Sequence, residues 1–412
     1  MDIVSTYLSK HAYVPTSIKE QPNADLRIVV VIPAFNEELL IPSLTSLWDC
    51  TKPDCSVEII VVINASNKSP ASVIKQNKKL SKELKLWNPP HNTIRLHILE
   101  FNDLPDKVAG VGLARKIGMD EAVRRFQPLA HEGIIVCFDA DCQCDKNYLV
   151  AIERHFINNP DISGCSIYFE HPLDGEIYEK TVYNGIVLYE LYLRYYRLGL
   201  QYAGLPFAYH TVGSALAVSC SAYCRLGGMN KRKAGEDFYF IQKLIKSGNY
   251  SDLKTTCVYP SPRPSERVPF GTGKAIINYG IQGNSSIKAP PVEMFNDLKI
   301  LNRNIENIFH RKTVITTIAL DAYFKEIAFE KRIDEIIRNT STLQSFRKRF
   351  YRWFDALMVL KFIHFSFDSG YYLPEDVHSV ATQLLTLHNG NRYKFENVKD
   401  LLQFYRDFEK SN

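Results

Sequence analysis

Two carboxylates stand one residue apart, Asp139 and Asp141, directly after the apolar run Ile134–Phe138. Held this close, they repel each other unless a cation or a proton intervenes. Hard divalent ions such as Mn2+ or Mg2+ prefer oxygen ligands and often bridge protein carboxylates to phosphate oxygens. A metal held by Asp139 and Asp141 could therefore neutralise a diphosphate group as it departs. The plainer reading is a loop and helix cap, because an isolated D-x-D is common by chance. Its place after a buried strand is what gives this one weight.

A second acidic pair, Glu236 and Asp237, follows Gly235 and opens a helical pattern. Acids suit a helix N-terminus through its dipole. Asp237 could also act as a general base toward an incoming hydroxyl. In PAFNE (33–37), Phe35 and Glu37 could border a base or ribose, with Glu37 accepting a hydrogen bond. GVGLARKIG (110–118) supplies glycine-rich backbone and a cation, Arg115, at a helix start, without the GxxxxGK[ST] spacing of a phosphate loop. Arg263 and Arg267 lie in SPRPSERVPFGTGK (261–274), a Pro/Gly-rich loop suited to a mobile lid over a polyanion, with solvated arginines as the alternative.

These residues need a scaffold, and the apolar pattern supplies one. RIVVVIPAF (27–35), VEIIVVINAS (57–66), TIRLHILEF (93–101) and GIIVCFDAD (133–141) read as buried strands. Helical patterns alternate with them: one near Pro42, one over 72–86, one over 111–126 and one from Tyr148. Such alternation predicts a parallel sheet covered by helices, with ligands bound beyond the carboxyl ends of the strands. Asp139, Asp141, Glu37, Asn64 and the 101–107 turn would all stand at those ends. Further on, residues 182–200 predict an amphipathic helix, 214–219 a strand, 238–247 a helix and 255–259 a strand. Residues 1–26 form an arm without period. From about 290 the pattern is helical, including the basic, aromatic segment RKRFYRWF (347–354), expected to pack on its own domain and less readily on a membrane surface.

The 412 residues exceed one ordinary core. The net charge of +5 is too mild to imply a nucleic-acid partner. No signal peptide and no membrane-spanning stretch is read, which points to a cytoplasmic protein, with peripheral contact at the inner membrane face left open. Nine cysteines without paired CxxC spacing read as reduced thiols, with soft-metal ligation at Cys142 and Cys144 the lesser reading.

Taken in order, these pieces resemble the GT-A glycosyltransferases of family 2. PAFNE is similar to the family's first-strand P-x-x-N-E, and GVGLARKIG to its G-x-x-x-A-R-N-x-G helix, with Lys116 in place of Asn. FDAD resembles its D-x-D, SALAVSCSAYCRLGGMN (214–230) its acceptor-side strand, and GEDFYFIQKLIKSG its E-D element. The resemblance covers roughly residues 27–260. It implies an α/β, Rossmann-like, mostly parallel sheet flanked by helices. The arm would be 1–26 and the GT-A domain 27–280, with a nucleotide-binding half (27–145) and an acceptor half (146–280). A C-terminal helical appendage would cover 290–412.

The function implied is inverting, non-processive transfer from a nucleotide-sugar donor to an acceptor hydroxyl. The acceptor could be a saccharide, a lipid-linked group or a small molecule. Asp139 and Asp141 would hold Mn2+ or Mg2+, Asp237 with Glu236 would provide the base, and Pro33, Phe35, Glu37, Asn64, Arg115, Asp139, Arg263 and Arg267 would border the donor. The family usually has an Asp pair where this chain has Ile63-Asn64, which leaves the identity of the base open. No Q-x-x-R-W is present, against a processive synthase. The alternatives are a degenerate nucleotide-sugar-binding scaffold and, further off, a sugar nucleotidyltransferase.

Overall fold

The computed structural model describes residues 2–267, 269–281, 283 and 286–411. The chain forms two compact units, Met1–Pro172 with Thr211–Lys274, and Leu173–His210 with Ala275–Asn412.

The first unit is built on an eight-stranded mixed sheet. Its strands are β1 (Leu26–Ala34), β2 (Ser56–Ser66), β3 (Ile94–Leu104), β4 (Ile134–Cys137), β5 (Gln143–Cys144), β6 (Gly164–Phe169), β7 (Leu216–Ser219) and β8 (Tyr250–Tyr259), ordered β3-β2-β1-β4-β7-β6-β8-β5. Four pairings are parallel and three antiparallel. β1 lies between β2 and β4 with both faces covered, so Ile28 through Ile32 are fully buried. That explains its continuous apolar run.

Register then decides where the site must be. Ala34 pairs with Ile63, Asn64 with Phe101, and Val31 with Cys137. The carboxyl ends of β1 to β4 therefore finish at one rim. β7 runs antiparallel to β4, with Leu216 opposite Cys137, so residues 213–215 start from that rim too. The end of β8 pairs with β5, Tyr259 opposite Gln143, which sends the 260–267 segment off beside the Asp139–Asp141 turn.

In chain order the first helices are α1 (Ile3–His11), α2 (Leu40–Trp48), α3 (Ala71–Leu86), α4 (Val111–Phe126), α5 (Tyr148–Asn158), α6 (Lys180–Tyr202), α7 (Cys220–Arg225) and α8 (Glu236–Ser247). α4 packs directly on β1 and β2. The N-terminal arm differs from its expected irregular form. It contains α1, whose Tyr7 is buried and donates a hydrogen bond to Asp120 of α4 at 2.6 Å. Beyond α1, the backbone N–H groups of Ser17 and Ile18 donate to Glu121 at 3.1 and 2.8 Å. The arm is fixed by buried polar contacts, which leave no hydrophobic period.

β8 begins five residues before the expected strand, because Ser251, Asp252 and Lys254 interrupt its apolar pattern. The 261–274 stretch is irregular only to Gly271, and a helix Thr272–Ile281 follows; residue 268 lies outside the described residues.

In the second unit α6 packs with the helices Val292–Arg303, Val377–Asn389 and Val398–Ser411. The unit boundary thus differs from a break near 280, since residues 173–210 group with the C-terminal helices. Glu190 on α6 takes two hydrogen bonds from Arg406, at 2.8 and 2.9 Å, across 216 positions of sequence. Helix Leu343–Trp353 buries Phe346 and Phe350 within this unit and leaves Arg347, Lys348, Arg349 and Arg352 exposed.

Candidate active site

The turn after β1 takes a left-handed backbone at Asn36, φ 49°, which asparagine adopts more readily than most side chains. Its N–H donates to Asn77 Oδ1 at 3.0 Å. The turn carries Glu37 back into the protein, where its side chain is 1% exposed. Arg263 grips that carboxylate with both terminal nitrogens, Nη1 to Oε1 at 2.7 Å and Nη2 to Oε2 at 2.9 Å. The same Nη2 lies 2.8 Å from Asp141 Oδ2. Arg267 adds contacts to Glu37 Oε2 at 3.2 Å and to the Asn36 carbonyl at 3.0 Å. Its guanidinium stands 5.9 Å from the centre of the Phe35 ring. Burial pushes the Glu37 carboxyl up, but the two arginines outweigh it and hold the group below its usual range.

From α4, Arg115 reaches the same rim. Its Nη2 lies 2.5 Å from Asp139 Oδ1, and its Nη1 bonds Glu236 Oε1. The guanidinium is nearly sealed, its side chain 4% exposed. Two glycines permit this. A Cβ on Gly213 would stand 2.4 Å from Arg115 Nη1, and one on Gly112 would stand 2.2 Å from the Arg232 carbonyl oxygen. The loop before β7 therefore lies against the guanidinium, and the start of α4 against the segment before α8. Burial alone would lower the Arg115 pKa; Asp139 and Glu236 outweigh it, so the group stays charged.

Two arginines thus divide four acids. Arg115 takes Asp139 and Glu236, while Arg263 takes Glu37 and Asp141. Asp237 completes the set, its Oδ1 accepting from the Phe238 N–H at 2.7 Å. Five carboxyl groups face the three guanidinium groups of Arg115, Arg263 and Arg267. The shortage of positive charge shows in the titration of the acids. Burial pushes Asp141 up to about 6, with Asp139 and Glu37 adding to the effect against Arg263. Burial also pushes Glu236 up to about 7 against Arg115, helped by Asp237. The Asp237 carboxyl is raised by burial as well.

The other sequence candidates take varied places. Pro33 and Phe35 are half-buried at the end of β1. Asn64 is buried, with its amide nitrogen donating to the Ala34 carbonyl at 2.9 Å, so that nitrogen links β2 to β1. Asn77 of α3 was not singled out from the sequence, yet its amide donates to the Asn64 carbonyl and to Asn102 Oδ1, at 2.9 and 2.8 Å. It ties the ends of β2 and β3 together. Phe270 was also missed: 57% exposed, it lies against Gly235, where a Cβ would be 3.0 Å from its Cζ. An exposed aromatic within a Pro/Gly loop was the available signal.

Among the described residues, no group of three or more His, Cys, Asp or Glu side chains converges to hold a metal ion. A divalent ion here would have Asp139 and Asp141 as protein ligands and would compete with Arg263 for Asp141. The local excess of carboxylate, expressed in the raised Asp141, is chemistry that such an ion would relieve.

Residues 29–216 match the family model described as Glycosyl transferase family 2. No curated protein matches the chain. Among solved structures, S. aureus TarS 1-349 in complex with UDP-GlcNAc aligns at 14% identity with a TM-score of 0.40, over 68% of this chain and 73% of that one. TarS 1-349 alone aligns at 12% identity and TM-score 0.38, over 90% of this chain and 94% of that one. Likeness at this level transfers no chemistry. The family match runs from within β1 to the first residue of β7, and so takes in Glu37, Arg115, Asp139 and Asp141. Over residues 29–216, a little under half of its length, the chain is thus similar to glycosyl transferase family 2, a match that supports a glycosyltransferase.

Proposed function

We propose that this rim moves one sugar from a nucleotide-sugar donor to an acceptor hydroxyl with inversion at the anomeric carbon. Asp139 and Asp141 would hold Mn2+ or Mg2+, whose chemistry is to neutralise charge on the donor's diphosphate. The observation that carries this reading is the excess of acid where the strand ends meet the start of α8, five carboxyl groups against three arginines. Such a site suits a bound cation, and a cation suits a diphosphate.

Asp237, raised by burial and placed at the first turn of α8, takes the acceptor proton. Arg115 holds Glu236 and Asp139 in place beside it. Arg263 and Arg267 would exchange Asp141 and Glu37 for phosphate oxygens, since a guanidinium fork fits either oxyanion. Phe35, with Arg267 over it, borders the base or ribose. All nine cysteines are free, which supports a reducing, cytoplasmic setting. No helix among the described residues is long and apolar enough to cross a membrane.

Thermal unfolding with a panel of nucleoside diphosphates, with and without Mn2+, tests this reading. A ligand at a hundred times its Kd stabilises the folded state by about 2.7 kcal/mol. One base is expected to raise the melting point only with metal present, and Asp139→Ala is expected to abolish the effect. No response to any nucleotide would overturn the proposal.

The pairing of Asp139 and Asp141 with arginines also favours a second reading, a degenerate scaffold that binds a nucleotide sugar without metal. It predicts metal-independent stabilisation and no sugar release.

A further inference from the structure

Seven of the nine cysteines are buried. The two that are not, Cys50 and Cys144, lie beside each other with Sγ atoms 3.7 Å apart across 94 positions of sequence. Chance scatter of thiols gives no reason for the two accessible ones to meet. We propose that Cys50 and Cys144 form a reversible disulfide, a redox-modification site at the back of the carboxylate turn.

The local frame favours it. Cys50 follows α2, and Cys144 is the last residue of β5. The backbone already joins these segments, with Thr51 N–H donating to the Lys146 carbonyl at 2.6 Å. Cys50 Sγ lies 3.4 Å from the Ser46 carbonyl oxygen and 3.6 Å from that of Asp145. Cys144 Sγ lies 3.8 Å from Ser46 Oγ. Bonding distance for two sulfurs is about 2.05 Å, so the side chains must close on each other while the backbone link stays as it is.

Cys50 is also the better nucleophile. Its thiol is held below the ordinary value, first by the bond from Cys144 and then, against burial, by the amides of Leu149 and Tyr148 at the start of α5. The amides of a helix N-terminus favour the thiolate.

With hydrogen peroxide as oxidant the step balances. The Cys50 thiolate attacks one peroxide oxygen, breaking the O–O bond; hydroxide leaves, takes up the proton Cys50 has shed and becomes water. The resulting sulfenic sulfur is attacked by Cys144, whose proton goes to the departing hydroxide as a second water. Two thiols are oxidised and one peroxide is reduced. The bond would tie α2 to β5. Ser43 of α2 already donates to the Ala140 carbonyl at 2.8 Å, between the two aspartates. β5 begins two residues after Asp141. Oxidation would therefore brace the Asp139–Asp141 turn from both sides. None of this depends on the sugar chemistry proposed above.

The test uses the full reduced chain treated with about two equivalents of hydrogen peroxide, then alkylated and mapped by non-reducing peptide mass spectrometry. The expected product joins the Cys50 and Cys144 peptides with loss of two hydrogens, leaves the other seven thiols alkylated, and reverts with dithiothreitol. A cross-link closing a loop of this length is expected to raise the melting midpoint by about 5 °C. In Cys144→Ser, dimedone should trap a sulfenic acid on Cys50, with no cross-link. Cys50 and Cys144 both remaining alkylatable in the treated folded protein would overturn the proposal. So would pairing of either residue with a different cysteine.

Discussion

Arg263 holds Glu37 through two hydrogen bonds, at 2.7 and 2.9 Å, and reaches Asp141 at 2.8 Å with the same guanidinium. One side chain from the segment after β8 thereby joins the turns that follow β1 and β4. Of its two acids, Glu37 is held below its usual range while burial pushes Asp141 up, and a divalent ion would compete with Arg263 for Asp141.

Replacing Arg263 should separate those roles. In Arg263→Ala, Mn2+ without nucleotide is expected to bind about tenfold more tightly, because its competitor is gone. A nucleoside diphosphate should bind about tenfold more weakly, the scale of one charge-assisted bond. Arg263→Lys keeps the charge but loses the fork, and should fall between the two. Isothermal titration calorimetry reads both affinities.

Asp237→Asn removes the proton acceptor and keeps the shape. Donor binding should stay within about threefold, while transfer falls by about 10²–10⁴, the range for a lost general base. Single-turnover transfer measured beside donor affinity checks this, and an unchanged transfer rate removes Asp237 from the base role.

Much of the scaffold was legible because β1, β2 and β4 are buried on both faces and read as unbroken apolar runs. Helix 111–126 matched its pattern from end to end. What could not be read was pairing. Arg115 looked like a cation at a helix start, and nothing local announced that it is sealed between Asp139 and Glu236, the latter 121 positions away. Asn64 looked like a base-reading side chain, while its amide nitrogen bonds the neighbouring strand. α1 was invisible because its buried residue, Tyr7, is anchored by polar contacts. α6 was legible as a helix, but its partners near the C-terminus were not, since helix amphipathicity names a face and not its occupant.

That anchor at Tyr7 is itself testable. Its hydroxyl donates to Asp120, which also accepts from Tyr223 at 2.9 Å and from the Tyr13 N–H at 3.0 Å. Tyr7→Phe leaves Asp120 short of one donor in a buried setting and should cost about 1–3 kcal/mol. Urea unfolding followed by circular dichroism measures it; a change under a few tenths would show that the arm is not held there.

Acid should weaken the fold through Glu58. Burial pushes this carboxyl up, but Arg125 and His97 outweigh it and bring it down to about 2. Arg125 bonds both of its oxygens at 2.7 Å. The folded state therefore favours the ionised form. Its contribution is complete above the ordinary value of about 4.3 and fades as pH falls toward 2. Glu58→Gln should be less stable than the parent at pH 7 and should lose less stability between pH 5 and pH 2. Melting midpoints of both proteins across that range give the comparison.

The most direct measurement of the central claim is anomalous scattering from crystals soaked with Mn2+ and the nucleoside diphosphate that stabilises the protein. The account predicts a manganese peak bonded to Asp139 and Asp141, with Arg263 moved off Asp141. Saturating soaks that leave no peak there, with both aspartates still on their arginines, would contradict it.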